Sequence, residues 1–419
     1  MSNSTFEHII GYQDIKQELL RILDRLNNPE KYMKLGVTAP HGLLLHGAPG
    51  VGKSTFAKCF IDACGRKSFI CRKDKPNGDF VKEIVNIFDQ AVEVAPSVIL
   101  LDDLDKFANE DERHRDAEEF VTVQACIDDA KDKNVFVIAT VNNMRKLPDS
   151  LVRAGRFDHV LQLKCPTGKD AEDIVAHYMM QHKYVAAMDT RRIARLLSKR
   201  SCAELEMVIN EAGVYAGFDG REQIEMSDVM RAILRIVFGA PETLDKDEHT
   251  LELIACHEAG HAVIAELLEP GSVDMVSVRS HGGEIGGITS LYQDENYFHS
   301  KKQMENRVMC LLAGKAATEI CYGVTDTGTI SDLRRAFDIV LRFVDDYCTY
   351  GFDHFVFTHE PSNDLLSRRE HQVSTEMHRY YGAVRQLLVE KRDVLDQLVA
   401  KLLEEKTLLN DQIQAIITA

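Results

Sequence analysis

The feature that most constrains the fold is a GxxxxGKS motif, Gly47-Ala48-Pro49-Gly50-Val51-Gly52-Lys53-Ser54. It follows an apolar run at 43–46 and precedes a helical stretch, Thr55–Ala63, which is the context that this motif needs to form a phosphate-binding loop. Backbone N–H groups of such a loop surround phosphates at the helix N-terminus, Lys53 reaches the β- and γ-phosphates, and Ser54 holds Mg²⁺. The alternative is a glycine-rich turn without a ligand, but the complete motif in this context favours nucleotide binding.

Two further apolar runs end in polar residues that suit a nucleotide site. Ser97–Leu101 leads into Asp102 and Asp103, and a buried strand that delivers a carboxylate to Mg²⁺ is the expected partner of such a loop. The run 135–140 ends near Asn142, whose amide could orient the attacking water. Strands that alternate with helical stretches predict a parallel sheet flanked by helices.

A second motif with chemical content is HEAGH at residues 257–261. Two histidines four residues apart on a helix lie on one face, so His257 and His261 could bind a single metal ion, for which zinc is the usual choice. Glu258 could then take the proton of a water at the metal. The pentapeptide also occurs by chance, so the motif alone does not decide between a zinc site and an ordinary core helix.

Composition narrows the classes of function. The net charge of −16 argues against a general nucleic-acid binder, and no apolar run is long enough to cross a bilayer. The ten cysteines are scattered without a CxxC pair, which is typical of reduced core residues and predicts a cytoplasmic protein.

Taken together, these motifs resemble a known family. The phosphate-binding loop, TFEHIIGYQDIK at 5–16, VILLDDLD at 98–105, IATVNN at 138–143 and LVRAGRFD at 151–158 are similar to the AAA+ ATPase module. Followed by HEAGH, they resemble the FtsH family of ATP-dependent zinc metalloproteases over nearly the whole chain. That family is usually anchored in a membrane by N-terminal helices, so either this is a member without an anchor or the anchor is missing from the sequence.

The resemblance implies roles for several residues. Asn142 corresponds to the sensor asparagine, Arg153 and Arg156 to two arginine fingers that reach a neighbour's nucleotide, and Ile10 to the residue against the adenine. From the sequence alone, both arginines could equally be solvated surface charges. The expected ATP-binding set is Ile10, Gly47, Ala48, Pro49, Gly50, Val51, Gly52, Lys53, Ser54, Thr55, Asp102, Asp103 and Asn142.

A catalytic zinc site needs a third protein ligand. Spacing does not choose among the downstream candidates, which are Glu284, His299, Glu319, Asp326 and Asp332. The resemblance does, because TGTISDL at 327–333 matches the family segment whose aspartate binds zinc, and this aspartate is Asp332. Asp332 could also simply favour a helix N-terminus, and both roles can hold at once.

Two segments depart from the family pattern. The family usually has Asp-Glu where this chain has Asp102-Asp103, and an aspartate is one methylene shorter, so we expect slower ATP hydrolysis. The segment 73–78 has no aromatic residue before Gly78, whereas the family uses an aromatic-hydrophobic-glycine tip to grip substrate.

The resulting expectation is an α/β P-loop AAA+ module with a helical lid, followed by a mostly α-helical zinc metallopeptidase domain. We expect the domain bounds to be 1–165, 166–240 and 241–419. The predicted activity is ATP-dependent cleavage of unfolded or misfolded proteins by a homohexamer that uses Zn²⁺, ATP and Mg²⁺. Two alternatives stay open at this point: a zinc peptidase on a weakly hydrolysing nucleotide-binding scaffold, and a non-proteolytic AAA+ chaperone.

Overall fold

A computed structural model describes residues 6–73, 80–107, 117–153, 155–182, 188–240, 247–279, 286–292, 299–325, 327–352 and 361–418. The chain divides into two compact units, residues 1–213 and 214–419. The boundary between them falls inside the helix Cys202–Phe218, so this two-part division is coarser than the three domains expected from the sequence.

The first unit is built on a five-stranded parallel sheet. Its strands are β1 (Gly42–His46), β2 (Lys67–Arg72), β3 (Ser97–Asp102), β4 (Val135–Val141) and β5 (His159–Gln162). Their order across the sheet is β2-β3-β4-β1-β5. The three central strands come from the apolar runs, because a parallel strand covered on both faces reads as a continuous hydrophobic segment.

Helices connect these strands and cover the sheet. They are α1 (Gln13–Asn27), α2 (Pro29–Met33), α3 (Lys53–Cys64), α4 (Phe80–Glu93), α5 (Ala117–Ala130), α6 (Gly168–Met180), α7 (Thr190–Leu196) and the first part of α8 (Cys202–Phe218). The helix after the phosphate-binding loop begins at Lys53, two residues before the start that we expected from the sequence, Thr55. A capping box starts α8, since Ser201 N donates to Glu204 Oε2 at 2.8 Å and Glu204 N donates to Ser201 Oγ at 3.3 Å.

The second unit is mainly helical. Its helices after α8 are α9 (Met226–Phe238), α10 (Glu248–Leu268), α11 (Lys301–Tyr322), α12 (Ile330–Asp345), α13 (Asn363–Glu390), α14 (Arg392–Glu405) and α15 (Asn410–Ile417). Helix α9 begins at Met226 because Glu225 and Asp228 form its capping box. Helix α10 is buried from Ile254 to Glu266, so the HEAGH motif lies in the centre of this unit.

A small antiparallel sheet completes the second unit. It contains β6 (Val273–Ser277), β7 (Ile288–Leu291) and β8 (Thr407–Leu409), in the order β7-β6-β8. Strand β8 has only three residues, so its sequence does not stand out as a strand. Among the described residues, no helix has both the length and the apolar content that a membrane span requires.

Candidate active site and nucleotide site

Helices α10 and α12 bring three potential metal ligands together. The Nε2 atoms of His257 and His261 are 3.0 Å apart, and Asp332 Oδ2 lies 3.4 Å from the first and 3.2 Å from the second. Ligand atoms about 2.0–2.2 Å from a tetrahedral zinc ion are separated by roughly 3.3–3.6 Å, so the observed triangle has the size of such a site. Among the residues that the structure describes, these three are the group able to hold a metal ion.

The orientation of His261 also suits a metal ligand. Its Nδ1 lies 2.6 Å from the backbone oxygen of Cys310 on α11. A carbonyl can only accept, so Nδ1 carries the proton and the lone pair of Nε2 faces Asp332 and His257. A neutral imidazole held in this tautomer is the form that binds zinc.

The charge state of Asp332 is consistent with the same role. Burial alone would raise the pKa of Asp332, but hydrogen bonds and charge interactions with His257 and His261 hold it well below its ordinary value. Asp332 is in the first turn of α12, where a negative charge is also favoured by the helix dipole. The carboxylate is therefore ionised at neutral pH and available as an oxygen ligand.

Glu258 is positioned by the edge strand β7. Thr289 Oγ1 donates to Glu258 Oε2 at 2.6 Å, and the N–H of Gly287 donates to Oε1 at 3.2 Å. A Cβ added to Gly287 would lie 2.5 Å from Glu258 Cγ, so this glycine leaves the room that the glutamate occupies. The carboxylate is buried beside the histidines with its direction fixed by two donors.

Close packing against α11 fixes the other side of the HEAGH helix. A Cβ on Gly260 would lie 2.6 Å from Ala317 Cβ and 2.7 Å from the Ala313 oxygen, and one on Gly314 would lie 2.5 Å from the His257 ring. A glycine inside a helix is unfavourable by about 1 kcal/mol relative to alanine, so the close approach of the two helices explains both positions.

These residues line a cavity of about 510 Å³. Its walls are formed by α10, β7, α11 and the start of α12, and it opens to solvent. The residues on its surface combine the three potential ligands and Glu258 with apolar side chains and two arginines. Such a mixture of apolar walls and a few convergent polar groups is typical of a substrate site.

The other candidates for a third ligand do not join this cluster. Glu319 is engaged elsewhere, with Lys315, Tyr381 and Arg385. His299 is exposed and is not among the cavity residues. Glu284 and Asp326 lie outside the described residues, as do residues 74–78 of the segment compared with the family's substrate-gripping tip.

In the first unit, the phosphate-binding loop connects β1 to α3. Gly50 and Gly52 have φ values of 80° and 97°, which only glycine adopts without strain. The Nζ atom of Lys53 donates to the backbone oxygens of Gly47 and Ala48, each at 2.8 Å, and burial lowers its pKa. The loop therefore holds its own lysine at the helix N-terminus, where a phosphate would provide stronger acceptors.

The carboxylates after β3 face this loop. Ser54 Oγ is 3.4 Å from Asp102 Oδ1, which also accepts from Thr140 Oγ1 at 2.8 Å. Asp103 accepts from Asn142 Nδ2 at 3.0 Å and from Lys106 Nζ at 2.6 Å. The structure thus brings together the serine, the two aspartates and the asparagine that were selected from separate parts of the sequence.

The two arginines of LVRAGRFD differ in their surroundings. Arg156 binds Asp128 with two parallel hydrogen bonds, of 2.8 and 2.7 Å, and also donates to the Ser150 oxygen at 2.5 Å. Arg153 is exposed and has no hydrogen bond or ion pair with any residue that the structure describes. Of these two arginines, only Arg153 is therefore without a partner among the described residues.

Ile10 lies beside the start of the helical region. It is half-buried, and the next residues contact that region, since a Cβ on Gly11 would touch Asp170 and Tyr12 Oη donates to the Lys164 oxygen at 2.8 Å. Cys202 Sγ lies 3.4 Å from Tyr12 Oη. The residues that follow Ile10 thus contact α6 and the beginning of α8.

Several residues that support these sites were not selected from the sequence. Thr289 orients Glu258, the Cys310 carbonyl orients His261, and Asp105 accepts from the backbone N–H groups of Asn142 and Asn143 at 3.1 and 3.3 Å. Thr140 links Asp102 to the N–H of Asp103. The Thr140 and Asp105 positions adjoin recognised motifs and could have been noticed, whereas a backbone carbonyl leaves no signal in a sequence.

The chain matches two known protein families, and each match covers the residues of one of the two sites. Residues 43–165 match the ATPase family associated with various cellular activities (AAA), and residues 244–416 match peptidase family M41. The chain is 29% identical to ATP-dependent zinc metalloprotease FtsH 2 of Symbiobacterium thermophilum, over 99% of this chain and 75% of that protein. It is 28% identical to ATP-dependent zinc metalloprotease FtsH of Thermus thermophilus, over 99% of this chain and 70% of that protein.

Proposed function

We propose that this chain, which belongs to the FtsH family of ATP-dependent zinc metalloproteases, couples ATP hydrolysis to the cleavage of protein substrates. The observation that carries the proposal is the convergence of His257, His261 and Asp332 beside the oriented carboxylate of Glu258. The same chain contains a complete phosphate-binding loop with its acidic partners. Zn²⁺, ATP and Mg²⁺ are the cofactors of this activity.

The proposed zinc ligands are His257 Nε2, His261 Nε2 and an oxygen of Asp332. When bound, zinc would supply Lewis-acid activation of water and of the scissile carbonyl. Glu258 would take the proton of the attacking water and later give it to the leaving amine. The hydrogen bonds from Gly287 and Thr289 keep that carboxylate directed at the cavity during both transfers.

Strand β7 is the natural partner for an extended substrate. It pairs with β6 on one side only, and within the described residues no strand pairs with its other edge. A peptide that added to this edge would form main-chain hydrogen bonds next to Gly287 and Thr289, and so beside Glu258. Such pairing accepts many sequences, which suits the degradation of unfolded or misfolded proteins.

For the nucleotide, Lys53 would bind the β- and γ-phosphates, and Ser54 with Asp102 would hold Mg²⁺. Asp103 would polarise the attacking water and Asn142 would orient it. Ile10 would lie against the adenine, and the loop residues from Gly47 to Thr55 would provide the remaining contacts.

The role proposed for Arg153 requires a neighbouring subunit, which supports the expected homohexameric ring. This guanidinium has no partner within the described part of its own chain, and in a ring it could reach a neighbour's γ-phosphate. Arg156 would first have to leave Asp128, so we propose Arg153 as the principal arginine finger. The molar mass of the assembly, measured with and without ATP for Arg153→Ala and for the unmodified chain, tests assembly separately from catalysis.

The proposal also includes the domain bounds and the cellular compartment. The division into 1–165, 166–240 and 241–419 is supported by the family matches at 43–165 and 244–416, which leave the helical segment between them. We assign the protein to the cytoplasm because its ten cysteines are free thiols, as expected in a reducing compartment.

One alternative retains a specific observation in its favour. Asp103 is shorter than the family's glutamate, and both of its oxygens accept hydrogen bonds, from Asn142 and Lys106, which favours a zinc peptidase on a slowly hydrolysing scaffold. A non-proteolytic chaperone function, in contrast, would not explain the geometry of the three potential zinc ligands or the orientation of Glu258.

The proposal is tested by zinc content and by degradation of casein, with Glu258→Gln as the variant and Glu252→Gln as its control. Glu252 is on the same helix but outside the cavity. We expect Glu258→Gln to keep its zinc and to lose about 100-fold or more of its activity, whereas Glu252→Gln keeps both. A zinc-free protein, or one whose Glu258→Gln variant still degrades casein, would contradict it.

A further inference from the structure

Two arginines line the cavity that contains the proposed zinc ligands. Arg307 comes from α11 and Arg335 from α12, three residues after Asp332. Arg335 Nη1 lies 3.7 Å from Asp332 Oδ1. Arg307 belongs to the cavity wall and has no hydrogen bond or ion pair with any of the described residues.

Arg307 is exposed at the cavity wall and lies beside the like charge of Arg335, so it is accessible to an incoming anion. Burial lowers its pKa, and the neighbouring charge of Arg335 lowers it further, but a guanidinium stays protonated in proteins. Two neighbouring cations repel each other, and an anion that binds between them relieves this repulsion. The fork of an arginine matches a carboxylate, which it binds with two parallel hydrogen bonds.

Among the described residues, the carboxylates of the cavity do not pair with Arg307. Glu258 accepts hydrogen bonds from Gly287 and Thr289, and Asp332 is directed at the two histidines. The remaining wall residues are apolar or carry hydroxyl or thiol groups, and none of them is acidic. Within the part of the chain that the structure describes, no carboxylate pairs with Arg307, which leaves its guanidinium available to a carboxylate of the substrate.

We propose that Arg307, assisted by Arg335, makes this cavity select a substrate carboxylate next to the scissile bond, from a glutamate or aspartate side chain. The inference rests on the proposed proteolytic function and adds a preference to it. Main-chain pairing at β7 would hold any extended peptide, while the arginine pair would favour cleavage at acidic positions. Arg307 and Arg335 thus act as specificity-determining residues.

The test uses short peptides with both ends blocked and the zinc-loaded full chain with ATP. Each peptide is made in a glutamate and a glutamine version, at the three positions on either side of the cleaved bond. At one position we expect kcat/KM to be about 3- to 10-fold higher for glutamate, as for a solvent-accessible ion pair with two parallel hydrogen bonds. The ratio should fall to about one in Arg307→Gln and recover in part in Arg307→Lys, which keeps the charge without the fork.

Arg334→Gln is the matched control. It removes the same charge from α12 one residue away from Arg335, but Arg334 is not part of the cavity wall, so the ratio should be unchanged. Binding is measured separately by fluorescence anisotropy of the uncleaved peptides on Glu258→Gln, with and without Arg307→Gln. The zinc content of each variant shows that the site is still formed, and Arg335→Gln serves if Arg307→Gln does not fold.

The outcomes separate the inference from the function on which it rests. Cleavage of the glutamine peptides with equal rates for glutamate overturns the inference and leaves the protease intact. Stimulation that requires a free C-terminal carboxylate, tested with unblocked peptides, overturns the assignment to a side chain. No cleavage of any peptide, together with no degradation of casein, overturns the proposed function itself.

Discussion

At the scale of single residues, Asp103 is the most informative departure from the family pattern. Burial alone would raise its pKa, but the ammonium of Lys106 and the amide of Asn142 hold that pKa below its ordinary value. The residue has a φ of 54°, so the chain turns sharply just after β3. The carboxylate is thus ionised and restrained, yet one methylene shorter than a glutamate in the same position.

We therefore predict that Asp103→Glu speeds up ATP hydrolysis. A misplacement of about 1 Å can lower a rate by up to about 100-fold, so the longer side chain should raise kcat by about tenfold. Asp103→Asn, which keeps the size and removes the charge, should lower it. Phosphate release at saturating ATP measures both, and an Asp103→Glu variant no faster than the unmodified chain would show that Asp103 already reaches the water.

At the scale of secondary-structure elements, the crossing of α10 and α11 decides whether the zinc site can form. Gly260 and Gly314 allow the two helices to approach so closely that Ala317, Ala313 and the His257 ring fill the space of a side chain. Interiors are packed to nearly crystalline density, so an added methyl group has no room there.

Gly260→Ala and Gly314→Ala should each lower the free energy of unfolding by about 1–3 kcal/mol, because overpacking displaces neighbouring atoms. Gly314→Ala should also reduce zinc affinity, since its methyl group would move the His257 ring. Gly382→Ala is the control, because Gly382 lies in α13 with no atom near its would-be Cβ. It should raise the stability by up to about 1 kcal/mol. Denaturant titrations and zinc competition measure these effects, and equal stabilities for all three would contradict the packing argument.

Glu319 links helix α11 to helix α13. It accepts from Lys315 and Thr325, and Tyr381 and Arg385 on α13 donate to it across the α11–α13 contact. Burial would raise the pKa of Glu319, but the hydrogen bonds from Lys315, Tyr381 and Thr325 lower it to about 2. Because an unfolded glutamate titrates near about 4.3, the stabilisation is complete above that pH and is lost as the pH falls towards 2.

Replacing this residue should therefore have a pH-dependent effect. We expect Glu319→Gln to lower the free energy of unfolding by about 1–3 kcal/mol at pH 7 and by progressively less on acidification below about pH 4. Glu370→Gln on the exposed side of α13 should change little at any pH. A Glu319→Gln penalty that is independent of pH would show that packing, rather than charge, carries the contribution of this residue.

The elements also show how far the sequence leads. The phosphate-binding loop, the apolar strands β1, β3 and β4, and the HEAGH helix were predictable because each has a strong local pattern. Strand β8, by contrast, has three residues and exists only because β6 supplies its partner. The Cys310 carbonyl and the position of Thr289 depend on how distant elements meet, so no local pattern reports them. Asp332 could be chosen only through the family resemblance, since spacing left five candidates.

At the scale of the whole molecule, the chain combines two sites that serve one proposed process. The first unit contains the nucleotide site from Gly47 to Asn142, and the second contains the zinc site around Glu258. Each site has its own supporting hydrogen bonds and could work alone. The central claim is that ATP turnover in one drives the delivery of protein substrate to the other.

The measurement that tests this claim most directly is degradation of casein with ATP, ADP or a non-hydrolysable ATP analogue, with Glu258→Gln as the blank. We predict degradation with ATP alone, and its loss in Glu258→Gln. Equal degradation with all three nucleotides would contradict the coupling and favour a zinc peptidase whose ATPase module is a scaffold.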